Sequence, residues 1–406
     1  MTYIFFTLRD FKKVGGGSIR IHGVVNALAE KGFQVKLISG ARDYSRFHPS
    51  IEHIQIDNSF KQKAQLQGLT AVLPASWVVK LFPALFREIN MGIQNAGAAH
   101  SKVYFFEYLD NTIGYLLKRT GFISSYINDI HGIAPIEFAQ QKEEAKSFTA
   151  RAVAALKLLL ARRHDRSVYT YAAANIYSSS HMQSYFEEHY PKGALQHYIL
   201  PNLISEEVAE INVDLNKAEQ LKTQFSISEK DTVLFFAGGY KPTSGVNDLV
   251  LVFSRLLQDF PRLKLVLIGT GPLLQEVNGL IRKLNLKDKV IQLDRVEYEE
   301  LFTFQAAADI IVCPDRMNAF SDMILHLKYL DSLMSGKIVI NGAFKSVLEI
   351  NQDERLSVNF QPSDIDDLEA KIRHCILHKE ELTERYQGVR SYVLQNLTYR
   401  SQIHKI

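Results

Sequence analysis

The sequence predicts an α/β chain of two Rossmann-like domains facing each other across a cleft, and two observations carry that expectation. The chain has 406 residues, too many for one ordinary core and suited to two of about 200 each. Short apolar runs alternate with segments of helical period in two successive series, one from the amino terminus and one from residue 231 onward. Each such series builds a parallel sheet flanked by helices.

The first series opens with "YIFFTL" (3–8), followed by "KKVGGGS", "IRIHGVVNALAEKG" and "FQVKLIS". In the third segment Ile19, Ile21, Val24, Val25, Leu28 and Ala29 recur at helical spacing, and Gly32 stands where a helix stops. This β-α-β opening implies a right-handed crossover between parallel strands. "KVYFFEYL" (102–109) and "SSYINDI" (124–130) read as further strands, and a long helical tract is expected from about 138 to 171. "NIYSSS" (175–180) reads as a strand whose final hydroxyls cap a helix starting near His181. Residues 45–100 are not informative.

Near "ILPNLISEEV" (199–208) the first series gives way to Pro-Asn and an acidic helical stretch. "DTVLFFAGGY" (231–240), "LKLVLIGTGP" (263–272) and "DIIVCPD" (309–315) are continuous apolar runs, as in strands buried on both faces. The expected division is a first domain over 1–204, a second over 205–385, and a carboxyl-terminal helix over 386–406 that returns to the first domain.

Composition excludes several classes. With 46% apolar and 22% charged residues the chain is an ordinary globular one. No basic, apolar and small-residue leader precedes the first strand, so no secretion signal is expected. The most apolar window, "GLTAVLPASWVVKLFPALF" (68–86), contains two prolines and a lysine and is unsuited to spanning a bilayer. Cys313 and Cys375 follow no metal or redox spacing, which points to a reducing cytoplasm. The net charge of +3 is divided unevenly: residues 1–200 carry +8 and the remainder −5.

Several stretches have the residue types of a binding site. "VGGGS" (14–18), with Gly16 and Gly17, opens a helix whose free N–H groups favour an anion. The dinucleotide pattern G-x-G-x-x-G is broken at Arg20, which disfavours a nicotinamide enzyme. Gly238-Gly239 ends a buried strand, where a backbone without Cβ admits a phosphate or sugar or simply makes a tight turn. Gly269 and Gly271 in "GTGP" follow the next strand in the same way. His131 in "NDIHG" stands at a strand's carboxyl end, where ligands of open α/β sheets gather; a structural hydrogen-bonding role is the alternative. Asp129 is placed to orient that imidazole. "SDMILHLKYLDSLMSGK" (321–337) reads as an apolar helix interrupted by Lys328 and Asp331, which on a surface would be an i, i+3 ion pair. "DID" (364–366) starts a helix, so capping explains it and no metal is expected. There is no nucleophile elbow and no P-loop.

"FFAGGY...SGVNDLVLVFSRL", "LKLVLIGTGPLLQEV", "DKVIQL...YEELFTFQAAADIIVCPD" and "HLKYLDSLMSGKIVI" occur in the order seen in GT-B glycosyltransferases, and the chain resembles family 4 of that class. "NDIHG" and "NIYSSSHMQSYF...LPN" resemble the segments these enzymes carry before their interdomain linker. The resemblance implies retaining transfer of a sugar from a nucleotide donor, UDP- or GDP-linked, with no further cofactor. It implies that His131 touches the donor sugar, that the Gly16-Gly17 loop lies against the phosphates and acceptor, and that the turn at Gly269 and Gly271 lies near the base. The basic residue usual beside the glycine matching Gly245 is replaced by Ser244, so Lys241 is expected to supply that charge, shared with Lys328. Asp331 matches the acid on the nucleotide ribose, while Met323 occupies the position of the first acid, with Asp322 adjacent. The loop Ser321, Asp322, Met323 and Ile324 is expected to face the phosphates, with a helix amino terminus near residue 322.

The expected partners are a nucleotide sugar and a glycan or lipid-linked acceptor, in bacterial surface polysaccharide or glycan synthesis, without nucleic acid. "KSFTARAVAALKLLLARRHDR" (146–166) reads either as a basic amphipathic helix resting on an anionic membrane at the inner face of the cell or as a domain helix with a solvated basic side. Two alternatives to a transferase stand beside this reading: a nucleotide-sugar epimerase and a non-catalytic partner that keeps the fold.

Overall fold

The computed structural model describes residues 2–11, 16–57, 63–98, 101–190 and 196–406. The chain forms two units: Met1–Glu206 together with Tyr399–Ile406, and Glu207–Thr398. Residues 386–398 thus belong with the second unit, and the return to the first begins at Tyr399.

The first unit is built on seven strands, β1 (Thr2–Thr7), β2 (Gln34–Ser39), β3 (Glu52–Gln55), β4 (Lys102–Phe106), β5 (Ser125–Ile130), β6 (Ala174–Tyr177) and β7 (Gln196–Ile199). They pair in the order β3-β2-β1-β4-β5-β6-β7, all parallel, with Phe5 opposite Leu37 on one side and Tyr104 on the other. The alternating sides of β1 and β4 explain their unbroken apolar sequence: Phe5 stacks on Phe106 and Phe6 meets Phe105, all four fully buried. Each such ring contributes about 1.5–3 kcal/mol of burial. The helix Gly16–Glu30 follows β1 and stops at Gly32, whose φ of 82° lets the Phe33 N–H reach back to the Leu28 carbonyl.

Two sequence expectations are corrected in this unit, and one unread stretch is filled in. β4 ends at Phe106 instead of continuing to 109, because Glu107 takes a positive φ of 64° and opens the helix Glu107–Thr120. The single helical tract is two helices, Ala134–Glu144 and Phe148–Tyr171, broken where Ala145 turns extended and Ser147 caps the second by accepting from the Ala150 N–H. Residues 45–100, unread in the sequence, hold β3 and the helices Lys63–Thr70, Ala75–Leu81 and Pro83–Asn95. Their buried Leu66, Val78, Phe86, Ile89 and Ile93 join the core beside β1 and β4. Tyr399 closes the unit, its N–H bonded to the Ile204 carbonyl.

The second unit carries β8 (Thr232–Ala237), β9 (Leu263–Ile268), β10 (Val290–Leu293), β11 (Ile310–Cys313), β12 (Ile338–Gly342) and β13 (Val358–Phe360) in the parallel order β10-β9-β8-β11-β12-β13. Asp364 caps the helix Ile365–Leu377 through the Asp366 and Asp367 N–H groups, the capping role read from "DID". The apolar stretch 321–337 is not one helix. Only Leu327–Leu333 is helical, because Asn318 Oδ1 accepts from the Phe320 and Ser321 N–H groups and Asp322 accepts from the Lys345 N–H, which holds 318–324 in turns. No helix amino terminus stands near residue 322.

Candidate active site

Each sheet reverses its strand order once, between β1 and β4 in the first unit and between β8 and β11 in the second. Such switch points open a crevice at the carboxyl ends of the strands. The candidate residues of each unit gather there.

In the second unit Gly238-Gly239 leaves β8 and Pro314-Asp315 leaves β11. Gly245, with a φ of 63°, presses its Cα against the Pro314 carbonyl, so no side chain fits and the two loops are tied together. Ser244 is buried and its hydroxyl donates to the Lys241 carbonyl at 2.8 Å, which makes it a builder of the turn. A Cβ on Gly238 would lie 3.6 Å from Lys328 Nζ, and one on Gly239 would lie 3.5 Å from Lys241 Cε. The bare glycine backbone is therefore flanked by two lysines. Gly269 and Gly271 pack their backbones against Gly238 and Tyr240, so their missing Cβ atoms serve loop-to-loop packing.

Lys328 does not pair with Asp331. Its Nζ donates to Asp315 Oδ1 at 2.7 Å and sits 5.4 Å from the centre of the Phe236 ring. The other Asp315 oxygen is buried without a partner among the described residues, as is His326 Nε2. Burial lowers the His326 pKa and favours its neutral form. Asp315 and His326 were missed in the sequence; a Pro-Asp leaving a buried strand was the available signal for the first.

Asp331 is 6% exposed and accepts from the Tyr298 hydroxyl at 2.7 Å. Burial raises its carboxyl to about 7, opposed by that hydrogen bond. Ser321 is buried and donates to the Arg316 carbonyl at 3.3 Å, and the Ile324 carbonyl accepts from Ser346 at 2.8 Å. Met323 N–H closes a turn on the Phe320 carbonyl. This loop's polar groups mainly hold the loop itself.

In the first unit a cavity of about 530 Å³ lies against Leu8, Arg9, Glu107, Tyr108 and Asp110. Arg9 forms an ion pair with Glu107 and donates to Ser18 at 3.2 Å. Gly17 lies so close to Glu107 and Arg9 that a Cβ would collide with both. Gly16 begins the helix; Val14 and Gly15 of the same motif lie outside the described residues. Asp110 accepts from the Leu8 N–H at 3.1 Å, while its second oxygen is buried without a partner among the described residues. Burial, with Glu107 adding repulsion, raises its carboxyl to about 8 against the pull of Thr7, Leu8 and Arg9. Sequence reading missed Arg9, Glu107 and Asp110, since only strand pairing brings residues 9 and 107 together.

His131 follows β5. Its Nε2 lies 3.1 Å from Asp129 Oδ1, but the ring is turned out of hydrogen-bonding alignment. The main partner of Asp129 is Arg20, which donates through Nε and Nη2 at 2.8–3.1 Å with both groups fully buried. Burial alone would raise the Asp129 carboxyl; Arg20 and His131 outweigh it and hold it at about 2. Among the described residues no group of three His, Cys, Asp or Glu side chains could hold a metal ion.

The fold matches solved structures along the whole chain. Sucrose-phosphate synthase from Thermosynechococcus elongatus superposes with a TM-score of 0.71 at 16% identity, covering 98% of this chain and 94% of that one. HepE from Anabaena, solved with UDP, gives 0.66 at 14% identity, covering 99% and 98%. The architecture is the GT-B one, with two Rossmann-like units. Residues 217–389, within the second unit, match the family model of glycosyl transferases group 1. An uncharacterized glycosyltransferase of Bacillus subtilis, YqgM, is 32% identical over 102 residues, 25% of this chain and 28% of that one. The chain spans between 27% and 41% of the length of the curated relatives it matches. No described helix is long and apolar enough to cross a membrane.

Proposed function

We propose that the chain is a glycosyltransferase that moves a sugar from a nucleoside diphosphate donor, UDP- or GDP-linked, to an acceptor hydroxyl with retention of configuration. The observation that carries this reading is the pair Lys241 and Lys328 flanking the Gly238-Gly239 backbone, within the segment matching group 1 glycosyl transferases. As the acceptor oxygen bonds to the anomeric carbon, the bond to the diphosphate breaks and negative charge grows on the leaving oxygens. Two ammonium groups beside exposed backbone stabilise that charge, usually the largest catalytic contribution. The departing phosphate takes the acceptor proton, so no enzyme carboxylate attacks. The lysines supply the countercharge, and the reading invokes no metal and no cofactor beyond the donor.

Asp331 binds the ribose hydroxyls in place of the Tyr298 hydroxyl, ionising as it does so. His131 keeps the contact with the transferred sugar that the family resemblance implies. The cavity beside Asp110 takes the acceptor, whose hydroxyl finds the unpartnered Asp110 oxygen. The acceptor class is a glycan or lipid-linked glycan of bacterial surface polysaccharide synthesis. The exposed basic helix Phe148–Tyr171 rests on an anionic membrane at the cytoplasmic face. A thermal-shift screen across nucleoside diphosphates, followed by donor hydrolysis assays, tests the reading. Stabilisation by UDP or GDP together with release of sugar supports it; no response to any nucleotide overturns it.

A further inference from the structure

The helix Phe148–Tyr171 buries Ala154, Ala161, His164, Asp165, Val168 and Tyr169. At 3.6 residues per turn, Phe148, Leu156 and Leu159 fall on the opposite side, where they are 86%, 57% and 50% exposed. A solvated helix face is ordinarily polar, so three large apolar side chains on it need a partner. Toward the carboxyl end the same face becomes basic with Arg162, Arg163 and Arg166, all exposed. None of these three forms an ion pair with another described residue.

At this junction a cavity of about 570 Å³ is lined by Leu159, Arg162, Arg163, Arg166, His189 and Tyr190. Tyr190 is 5% exposed, and its hydroxyl is buried with no hydrogen-bond partner among the described residues. Three arginines around one cavity fit a phosphate, which a guanidinium holds through paired N–H bonds. The exposed apolar residues on the turns of the helix before the cavity decide the source of that phosphate. A soluble phosphate gains nothing from Leu156 and Phe148, whereas a lipid buries both.

We propose that this cavity binds the phosphate headgroup of an anionic membrane lipid, with Phe148, Leu156 and Leu159 inserted beside it. The proposal rests on the membrane-facing reading of this helix and adds a defined headgroup pocket to it. The pocket belongs to the first unit and is separate from the cavity at Asp110, so lipid binding and sugar transfer are independent measurements.

The test is vesicle flotation of the full chain with phosphatidylcholine alone and with phosphatidylcholine containing phosphatidylglycerol. The wild type floats only with phosphatidylglycerol. The double variant Arg163→Gln/Arg166→Gln partitions about thirtyfold less, the loss expected of two basic side chains at a membrane surface. If Leu156→Ser abolishes flotation while the arginine variant behaves as wild type, the membrane reading stands and the pocket is overturned. If the wild type floats with neither vesicle, the membrane reading itself fails. Stabilisation by inorganic phosphate that depends on Arg163 and Arg166, without flotation, assigns the cavity to a soluble phosphate and overturns the lipid proposal.

Discussion

Replacing Lys328 by methionine separates phosphate recognition from nucleoside recognition. The substitution keeps the length and apolar stem of the side chain, so its packing over Phe236 survives, and removes only the ammonium group. A hydrogen bond from a charged group contributes about 1.5–3 kcal/mol. Lys328 is already paired with Asp315 at 2.7 Å, and its side chain is 24% exposed, so the lower part of that range applies. UDP affinity should fall about 10- to 30-fold, while the affinity for uridine, which has no phosphate, should be unchanged. Titration calorimetry with both ligands measures this, and GDP with guanosine serves if the guanine nucleotide binds tighter. Losing Lys328 also strands Asp315, one oxygen of which is already unpartnered. Lys328→Met/Asp315→Asn should therefore regain melting temperature but not UDP affinity. Equal losses for UDP and uridine, or recovery of UDP binding in the double variant, would refute the phosphate role.

Three further outcomes follow from the buried carboxylates. Asp331→Ala should lose nucleoside affinity with the fold intact. In the wild type uridine binding should weaken by up to about tenfold per unit as pH falls below about 7, because the carboxyl held at about 7 must ionise to accept the ribose; Asp331→Asn should show no such slope, and a wild type without one would sink the ribose assignment. Asp110 holds its proton up to about 8 in the folded chain against 3.8 ordinarily. Its contribution is fully present below the ordinary value and is lost as pH rises toward 8, so Asp110→Asn should gain a few kcal/mol over the wild type at pH 9 and little at pH 4. An equal effect at both values in chemical denaturation would contradict the buried neutral acid. Asp129→Ala strands the buried Arg20 guanidinium and should cost about 3–5 kcal/mol; Arg20→Met/Asp129→Leu should cost less than either single change, and a double variant at the sum of both would disprove the coupling.

The strands were legible because parallel sheets covered on both faces need continuous apolar runs, and "YIFFTL", "DTVLFFA" and "LKLVLIG" supply them. The helix Gly16–Glu30 and its stop at Gly32 were legible for the same local reason. What failed was set by distant contacts. The stretch 321–337 carries a helical apolar pattern, yet Asp322 is bonded to the backbone of Lys345, and no local rule reveals that tie. Local spacing offers Lys328 only Asp331 as a surface partner, but the strand β11 delivers Asp315 to it from 13 residues away. Arg9 and Glu107 are 98 residues apart in sequence and meet only because β1 and β4 are neighbours. In residues 45–100 short helices interrupted by Pro74 and Pro83 left no periodic run long enough to read.

Proton NMR of donor hydrolysis tests the central claim most directly. Incubated with its nucleotide sugar in the absence of acceptor, the chain should release nucleoside diphosphate slowly, and the first sugar formed should have the anomeric configuration of the donor. Release of the opposite anomer would contradict retention, and no release from any UDP- or GDP-linked sugar would contradict the transferase account.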